Sequence, residues 1–240
     1  MRVFSVIQVT IVTLLSAALS MGCKKAAISA TVEQPPVVVA GSKTYLALGD
    51  SYTIGQGVAT ADRFPHQVAA QLKQQNIPIQ NPVYIAATGW TTAKLLAAIN
   101  AQNLAGPYDV VTLLIGVNDQ YQGVDTAVYR TRFTEALNKA LSLAGNKKSN
   151  VFVLSIPDYS VTPFVPASQK ERVEREINWF NAINLQVTQQ MGISYTDITP
   201  STRQAANNPA LLANDGLHPS GLEYKKWADM VVPKMLSVLR

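Results

Sequence analysis

The run YDVVTLLIG, Tyr108–Gly116, constrains this chain more than any other stretch. Its apolar residues are continuous and end at a glycine. A strand with one wet face would alternate polar and apolar positions. A run without alternation belongs to a strand buried on both faces, as in parallel sheets covered by helices. The surrounding pattern agrees. Thr44–Leu48, Val83–Ala87, Asn150–Ile156 and Tyr195–Ile198 are the other strand candidates. Between and after them, Phe64–Gln75, Thr91–Gln102, Asp125–Ala144, Ser168–Met191 and Leu222–Leu239 carry helical spacing. Val68, Ala69 and Leu72 share one helix face; Leu95, Leu96 and Ile99 share another; Val173, Ile177, Phe180, Val187 and Met191 form a third. Strands alternating with helices predict βαβ units and an α/β fold with a parallel sheet.

Two connections are longer than such units need: Pro157–Lys170 and Thr199–Ser220. Both follow strands and so sit at the carboxyl edge of the sheet, where open α/β folds bind ligands. The chain has 240 residues, enough for one domain with a full core. Its net charge is +5, with basic and acidic residues interleaved, as in Lys170, Arg172 and Arg175 beside Glu171, Glu174 and Glu176. That mixture is a solvated helix face rather than a phosphate-tracking stripe, so nucleic acid is not an expected partner.

The N-terminus has its own logic. Arg2 precedes a charge-free run from Val3 to Gly22, and Ser5, Gln8, Thr10, Thr13 and Ser16 make that run weakly apolar for a permanent span. Residues 1–22 read as a secretory signal peptide, with an uncleaved anchor as the alternative. The single cysteine, Cys23, follows at once in LSMGC. This resembles a bacterial lipoprotein signal, although Ser20 and Met21 stand where that pattern has an aliphatic and a small residue. It implies a lipid on Cys23, attachment to a membrane, and export to the periplasm or outer membrane; cleavage elsewhere and secretion is the alternative. Residues 23–42, with Pro35, Pro36 and Gly41, read as a tether, leaving a folded domain over 43–240.

Within the domain, four short motifs stand at strand ends. TYLALGDS ends the first strand on Gly49, Asp50 and Ser51, either as a plain turn or as a display of the serine for chemistry. AATGWTT places Gly89 after the second. GVND places Asn118 after the third, where its amide can support a turn or face a developing oxyanion. NDGLHPSG holds His218 three residues after Asp215, just before the last helix. An aspartate at that spacing can hold the ring Nδ1–H and leave the other nitrogen as a base; helix capping is the alternative use. The only other histidine, His66, follows Pro65 in an early helix and reads as structural or exposed.

In order and spacing these motifs resemble the SGNH (GDSL) hydrolase family, from Tyr45 to about Trp227. The resemblance implies a three-layer α/β/α fold with a small, parallel, flavodoxin-like sheet of order 2-1-3-4-5. It implies Ser51 as nucleophile, His218 as base and Asp215 as the residue orienting it. Ser51, Gly89 and Asn118 then supply the oxyanion hole. Two departures fall near the pocket: Tyr52 stands where the family has its eponymous leucine, and TGWTT is a loose second block. The Gly-x-Ser-x-Gly elbow of α/β-hydrolases is absent around Ser51.

The expected reaction is hydrolysis of carboxylic esters, short acyl or lysophospholipid-like, with no metal and no cofactor. Carbohydrate O-deacetylation would use the same atoms. A non-catalytic glycan-binding lipoprotein is the alternative from another class, against which the complete Ser-Gly-Asn-His set weighs. Pro157, Tyr159, Pro163, Phe164 and Val165 are candidates for an apolar acyl wall or for loop packing, and Trp90 and Tyr121 are candidates for substrate contact. Oligomeric state has no sequence signature here.

Overall fold

The structure, a computed structural model, describes residues 41–102, 104 and 106–240. The expected signal peptide, Cys23 and all of the tether except Gly41 and Ser42 lie outside the described residues. Five strands form one parallel sheet: β1 Tyr45–Asp50, β2 Val83–Ala87, β3 Val110–Leu114, β4 Val151–Leu154 and β5 Ser194–Thr196, in the order β2-β1-β3-β4-β5. This is the order and class expected. The central strands β1, β3 and β4 are buried along their whole length, as a helix-covered parallel sheet requires.

Eight α-helices accompany the sheet among the described residues. They are α1 Ser51–Ile54, α2 Phe64–Gln74, α3 Thr92–Ala101, α4 Val117–Tyr121, α5 Thr126–Leu143, α6 Lys170–Gln190, α7 Thr199–Thr202 and α8 Gly221–Leu239. Helices cover both faces. α2 packs on α8, while α3, α5 and α6 pack in a row. Phe64 of α2 meets Tyr224 and Trp227 of α8 in one aromatic cluster, all three fully buried. Each such side chain stabilises the fold by roughly 1.5–3 kcal/mol through apolar burial. Val173, Ile177, Phe180 and Val187 of α6 are buried as their spacing predicts, whereas Met191 caps the helix and is only partly covered. Thr91 and Asp125 are N-caps of α3 and α5 rather than their first turns.

The first strand is longer than predicted. Gly49 and Asp50, turn-forming residues by local preference, instead extend β1 opposite Ala86 and Ala87 of β2. Gly49 is needed for space: a Cβ there would lie 2.4 Å from the Leu114 carbonyl oxygen of β3. Both long connections carry short helical turns. The first contains the 3-10 turns Tyr159–Val161 and Ala167–Gln169, and the second contains α7 and two further 3-10 turns. Buried Asp158 pins the first to the second, since its carboxylate accepts from Arg203 Nε at 2.7 Å and its N–H donates to Thr202 Oγ1 at 3.0 Å. The strand order reverses between β1 and β3, with successive strands added on opposite sides of that point, so the carboxyl ends of β1, β2 and β3 open on one crevice.

Candidate active site

Ser51 begins α1 directly after β1. Asp50 caps that helix by accepting from Tyr52 N at 3.0 Å, and Gly55, at φ +65°, ends it. The serine is thus fixed at the mouth of the crevice, 4% exposed. His218 arrives from the other end of the chain, and its Nε2 lies 3.0 Å from Ser51 Oγ. Its Nδ1 is 2.7 Å from Asp215 Oδ2. Asp215 is held in turn by the Leu217 and His218 backbone N–H groups at 3.0 and 2.9 Å. Burial pushes the Asp215 carboxyl up, but those two N–H groups and the His218 ring outweigh it, and the net direction is down. An ionised Asp215 accepts the Nδ1 proton and leaves the Nε2 lone pair for the Ser51 hydroxyl.

Asn118 lies in the first turn of α4, entered through Gly116 at φ +130°. Its Nδ2 donates to the Trp90 carbonyl at 3.1 Å and lies 3.5 Å from Asp50 Oδ2. The Gly89 N–H has no hydrogen-bond partner among the described residues, and Gly89 lines the same cleft as Ser51 and Asn118. Asp119 clamps these two loops together: its carboxylate accepts from Thr92 N at 2.8 Å and Thr92 Oγ1 at 2.7 Å. An amide and a free backbone N–H beside a serine hydroxyl form a site that can hold negative charge on an oxygen.

The cleft at Ser51 has a volume of about 230 Å³. Val117, Tyr121, Tyr159, Phe164 and Leu217 give it apolar walls, and Gln56 and Thr88 add polar atoms at the rim. Tyr121, Tyr159 and Phe164 form a ring triangle with centroids 6.3 to 6.4 Å apart. Tyr159 is anchored through its hydroxyl to Gln120 Oε1 at 2.8 Å. Other sequence candidates fall elsewhere. Trp90 does not line this cleft; its side chain packs against the core and its carbonyl serves Asn118. Pro157 and Val165 are buried in the loop and Pro163 is exposed beside Gly216. His66 is engaged with Tyr84, Nδ1 to Oη 2.6 Å, away from the cleft lining.

Two acids at the site carried no expected role. Asp50 and Asp119 are both fully buried. Burial pushes the Asp50 carboxyl up to about 8; the Tyr52 N–H opposes this, the nearby Asp119 adds to it and the Asn118 amide opposes it. Asp119 is also shifted up by burial, against the Thr92 bonds and Arg132. The available signal was an acid at or just past the end of an apolar strand: Asp50 closing β1, and Asp119 in the first turn of α4 after β3.

A serine, a histidine–aspartate pair and an amide thus stand together at the carboxyl edge of a parallel α/β sheet. The chain belongs to the GDSL-like lipase/acylhydrolase family, whose model matches residues 47–226, and it is accordingly a carboxylic ester hydrolase. Among solved structures it is similar to TesA, at 20% identity and TM-score 0.65 over 82% of this chain and 99% of that one. It is similar also to a lipase/acylhydrolase from Enterococcus faecalis, at 20% identity and TM-score 0.62 over 81% and 96%. A third is Axe2, an acetylxylan esterase from Geobacillus stearothermophilus, at 19% identity and TM-score 0.58 over 81% and 95%. At these identities the likeness is one of fold. No curated protein sequence matches the chain.

Proposed function

We propose that the protein hydrolyses esters of short acyl groups by a serine mechanism. The observation that carries the reading is the Asp215–His218–Ser51 relay, with links of 2.7 and 3.0 Å, opening on a small cleft. His218 Nε2 takes the hydroxyl proton as Ser51 Oγ attacks the acyl carbon. The carbonyl oxygen becomes an oxyanion held by the Ser51 and Gly89 N–H groups and the Asn118 amide. Collapse expels the alcohol, protonated by His218, and leaves an acyl-Ser51. Water, deprotonated by the same histidine, attacks the acyl carbon, and Ser51 departs with its proton restored as the acid leaves. Asp215 holds the tautomer and steadies the imidazolium throughout.

The substrate range follows from size. A cleft of about 230 Å³ lies below the roughly 300–1,000 Å³ of pockets that enclose a drug-sized ligand. It suits a short acyl chain, with the alcohol part left outside. A second reading, O-deacetylation of a carbohydrate, is favoured by the exposed rings of Tyr121 and Phe164 where that alcohol would emerge. A panel of p-nitrophenyl esters of rising chain length, beside acetylated oligosaccharides, tests both. Turnover that falls as the acyl chain lengthens supports the first. Strong deacetylation of the sugars with negligible turnover of the synthetic esters supports the second. A Ser51→Ala protein as active as the parent overturns both. We propose further that the protein is exported and lipid-anchored at Cys23, a reading supported by the charge-free run before the single cysteine.

A further inference from the structure

Tyr52 is where this chain departs from the GDSL pattern, and its ring does not point into solvent. It is 4% exposed and lies against His218, with ring centroids 5.0 Å apart and planes at 48°. Its backbone is fixed on both sides, by the Asp50 cap at its N–H and by the Gly55 turn that closes α1. The imidazole it touches has a side chain only 6% exposed, so an imidazolium formed there receives little help from water. A cation within about 6 Å of an aromatic centroid is attracted by the ring's quadrupole, most strongly where it is desolvated. A leucine at this position would fill space and offer no such attraction.

We propose that Tyr52 is a positioning residue for His218, holding the imidazole toward Ser51 and favouring its protonated form during the reaction. The proposal rests on His218 as the base. Other titratable groups surround the pair. Asp215 shares the loop of His218, Ser51 is on α1 and Asp50 ends β1. Tyr121 and Tyr159 face the cleft, while Asp158 and Glu223 lie behind Tyr52 at a small inner cavity. None of these changes in the variants that follow, so a shift between them belongs to residue 52.

The chain contains two histidines, so NMR titration resolves two imidazoles, assigned with His66→Gln. Tyr52→Phe keeps the ring, Tyr52→Leu removes it, and Tyr52→pentafluorophenylalanine keeps its size while inverting its charge distribution. The His218 midpoint should stay close to the parent in Tyr52→Phe and fall by about 0.4–1.5 pH units in Tyr52→Leu. The fluorinated variant should fall at least as far, and it serves alone if the leucine variant fails to fold. The acid limb of kcat/KM should move by the same amount, with kcat lowered and KM little changed. Equal midpoints across all variants would overturn the proposal, even with reduced activity, because packing alone would then explain the loss. A moving midpoint with an unmoved activity limb would support the contact between the rings and overturn His218 as the base.

Discussion

Raising the pH through about 8 should place a negative charge beside the position where the oxyanion forms. Asp50 is fully buried with its carboxyl pushed up to about 8, so at neutral pH it is uncharged. Its Oδ2 is 3.5 Å from Asn118 Nδ2. The oxyanion would lie about 3 Å beyond that nitrogen, hence about 6 Å from the carboxylate. Two unit charges at about 6 Å with an effective dielectric of about 20 repel by about 3 kcal/mol. That is roughly a 100-fold fall in kcat. The ionised carboxylate would also draw the Asn118 N–H toward itself and away from substrate.

The same group sets a stability profile, and its sign is fixed by linkage. Folding raises this carboxyl above its unfolded value near 3.9, so unfolding releases a proton between about pH 4 and about pH 8. Stability is therefore greatest below that window, falls through it by up to about 1.4 kcal/mol per pH unit, and levels above it. Asp50→Asn removes the titration and keeps an acceptor oxygen for Tyr52 N. The variant should lose the alkaline fall in kcat. Its urea-unfolding stability, relative to the parent, should improve steadily from about pH 4 to about pH 8 and then level. A parent and variant that share the same alkaline limb and differ by a pH-independent amount would refute the reasoning. If Asp119→Asn alone abolished the limb, the responsible acid would be its neighbour.

Asn118→Ala should lower kcat by roughly 10² to 10³ with KM nearly unchanged, since the amide acts on charge that exists only in the transition state; steady-state kinetics on a short p-nitrophenyl ester checks it. By analogy with other serine hydrolases, Ser51→Ala and His218→Ala should each cost about 10⁶-fold in kcat and the double variant hardly more, with Asp215→Ala costing about 10⁴-fold. Gly116→Ala should destabilise by about 3 kcal/mol or more in urea unfolding, because its Cβ would sit 2.1 Å from the Tyr129 hydroxyl. Gly89→Ala, also at positive φ but with nothing within 4 Å of its Cβ, should lose only the about 1–2 kcal/mol of backbone strain. Cys23→Ser should move the protein from the membrane to the soluble fraction with esterase activity intact, which fractionation and mass spectrometry measure.

Periodicity made the sheet and the long helices legible, because burial on one stripe or both faces leaves a mark in residue order. It could not show α4, whose five residues Val117–Tyr121 make barely more than a turn and so have no period. It placed the end of β1 too early, since Gly49 and Asp50 favour turns locally and only pairing with Ala86 and Ala87 keeps them extended. Strand order came from likeness to a family, as no local pattern encodes which strands are neighbours. Trp90 looked like a substrate contact because it adjoins Gly89. A turn, Trp90 N to Ala87 O at 3.2 Å, instead leaves its ring against the core.

What residue order hid most completely was burial of charge, and there the site's design becomes visible. Ser51 and His218 are separated by 167 positions, so neither loop alone can define their 3.0 Å contact. Each reacting group is instead fixed by a carboxyl bound to main-chain N–H. Asp50 holds Tyr52 N beside Ser51, Asp119 holds Thr92 N below the Gly89 loop, and Asp215 holds Leu217 N and His218 N. The three acids differ in what burial does to them. Asp215, near solvent and bonded by two N–H groups and the imidazole, is shifted down, whereas Asp50 at the end of β1 and Asp119 in α4, both fully buried, are shifted up. Of these acids, Asp215 is the one whose negative charge is favoured, on the histidine side, where it would steady a cation. On the side proposed to receive an oxyanion, burial disfavours the charged form of both Asp50 and Asp119. In the proposed mechanism, an ionised carboxylate beside His218 and a carboxyl of raised pKa beside the oxyanion position would let one cleft both activate the serine and hold the oxyanion.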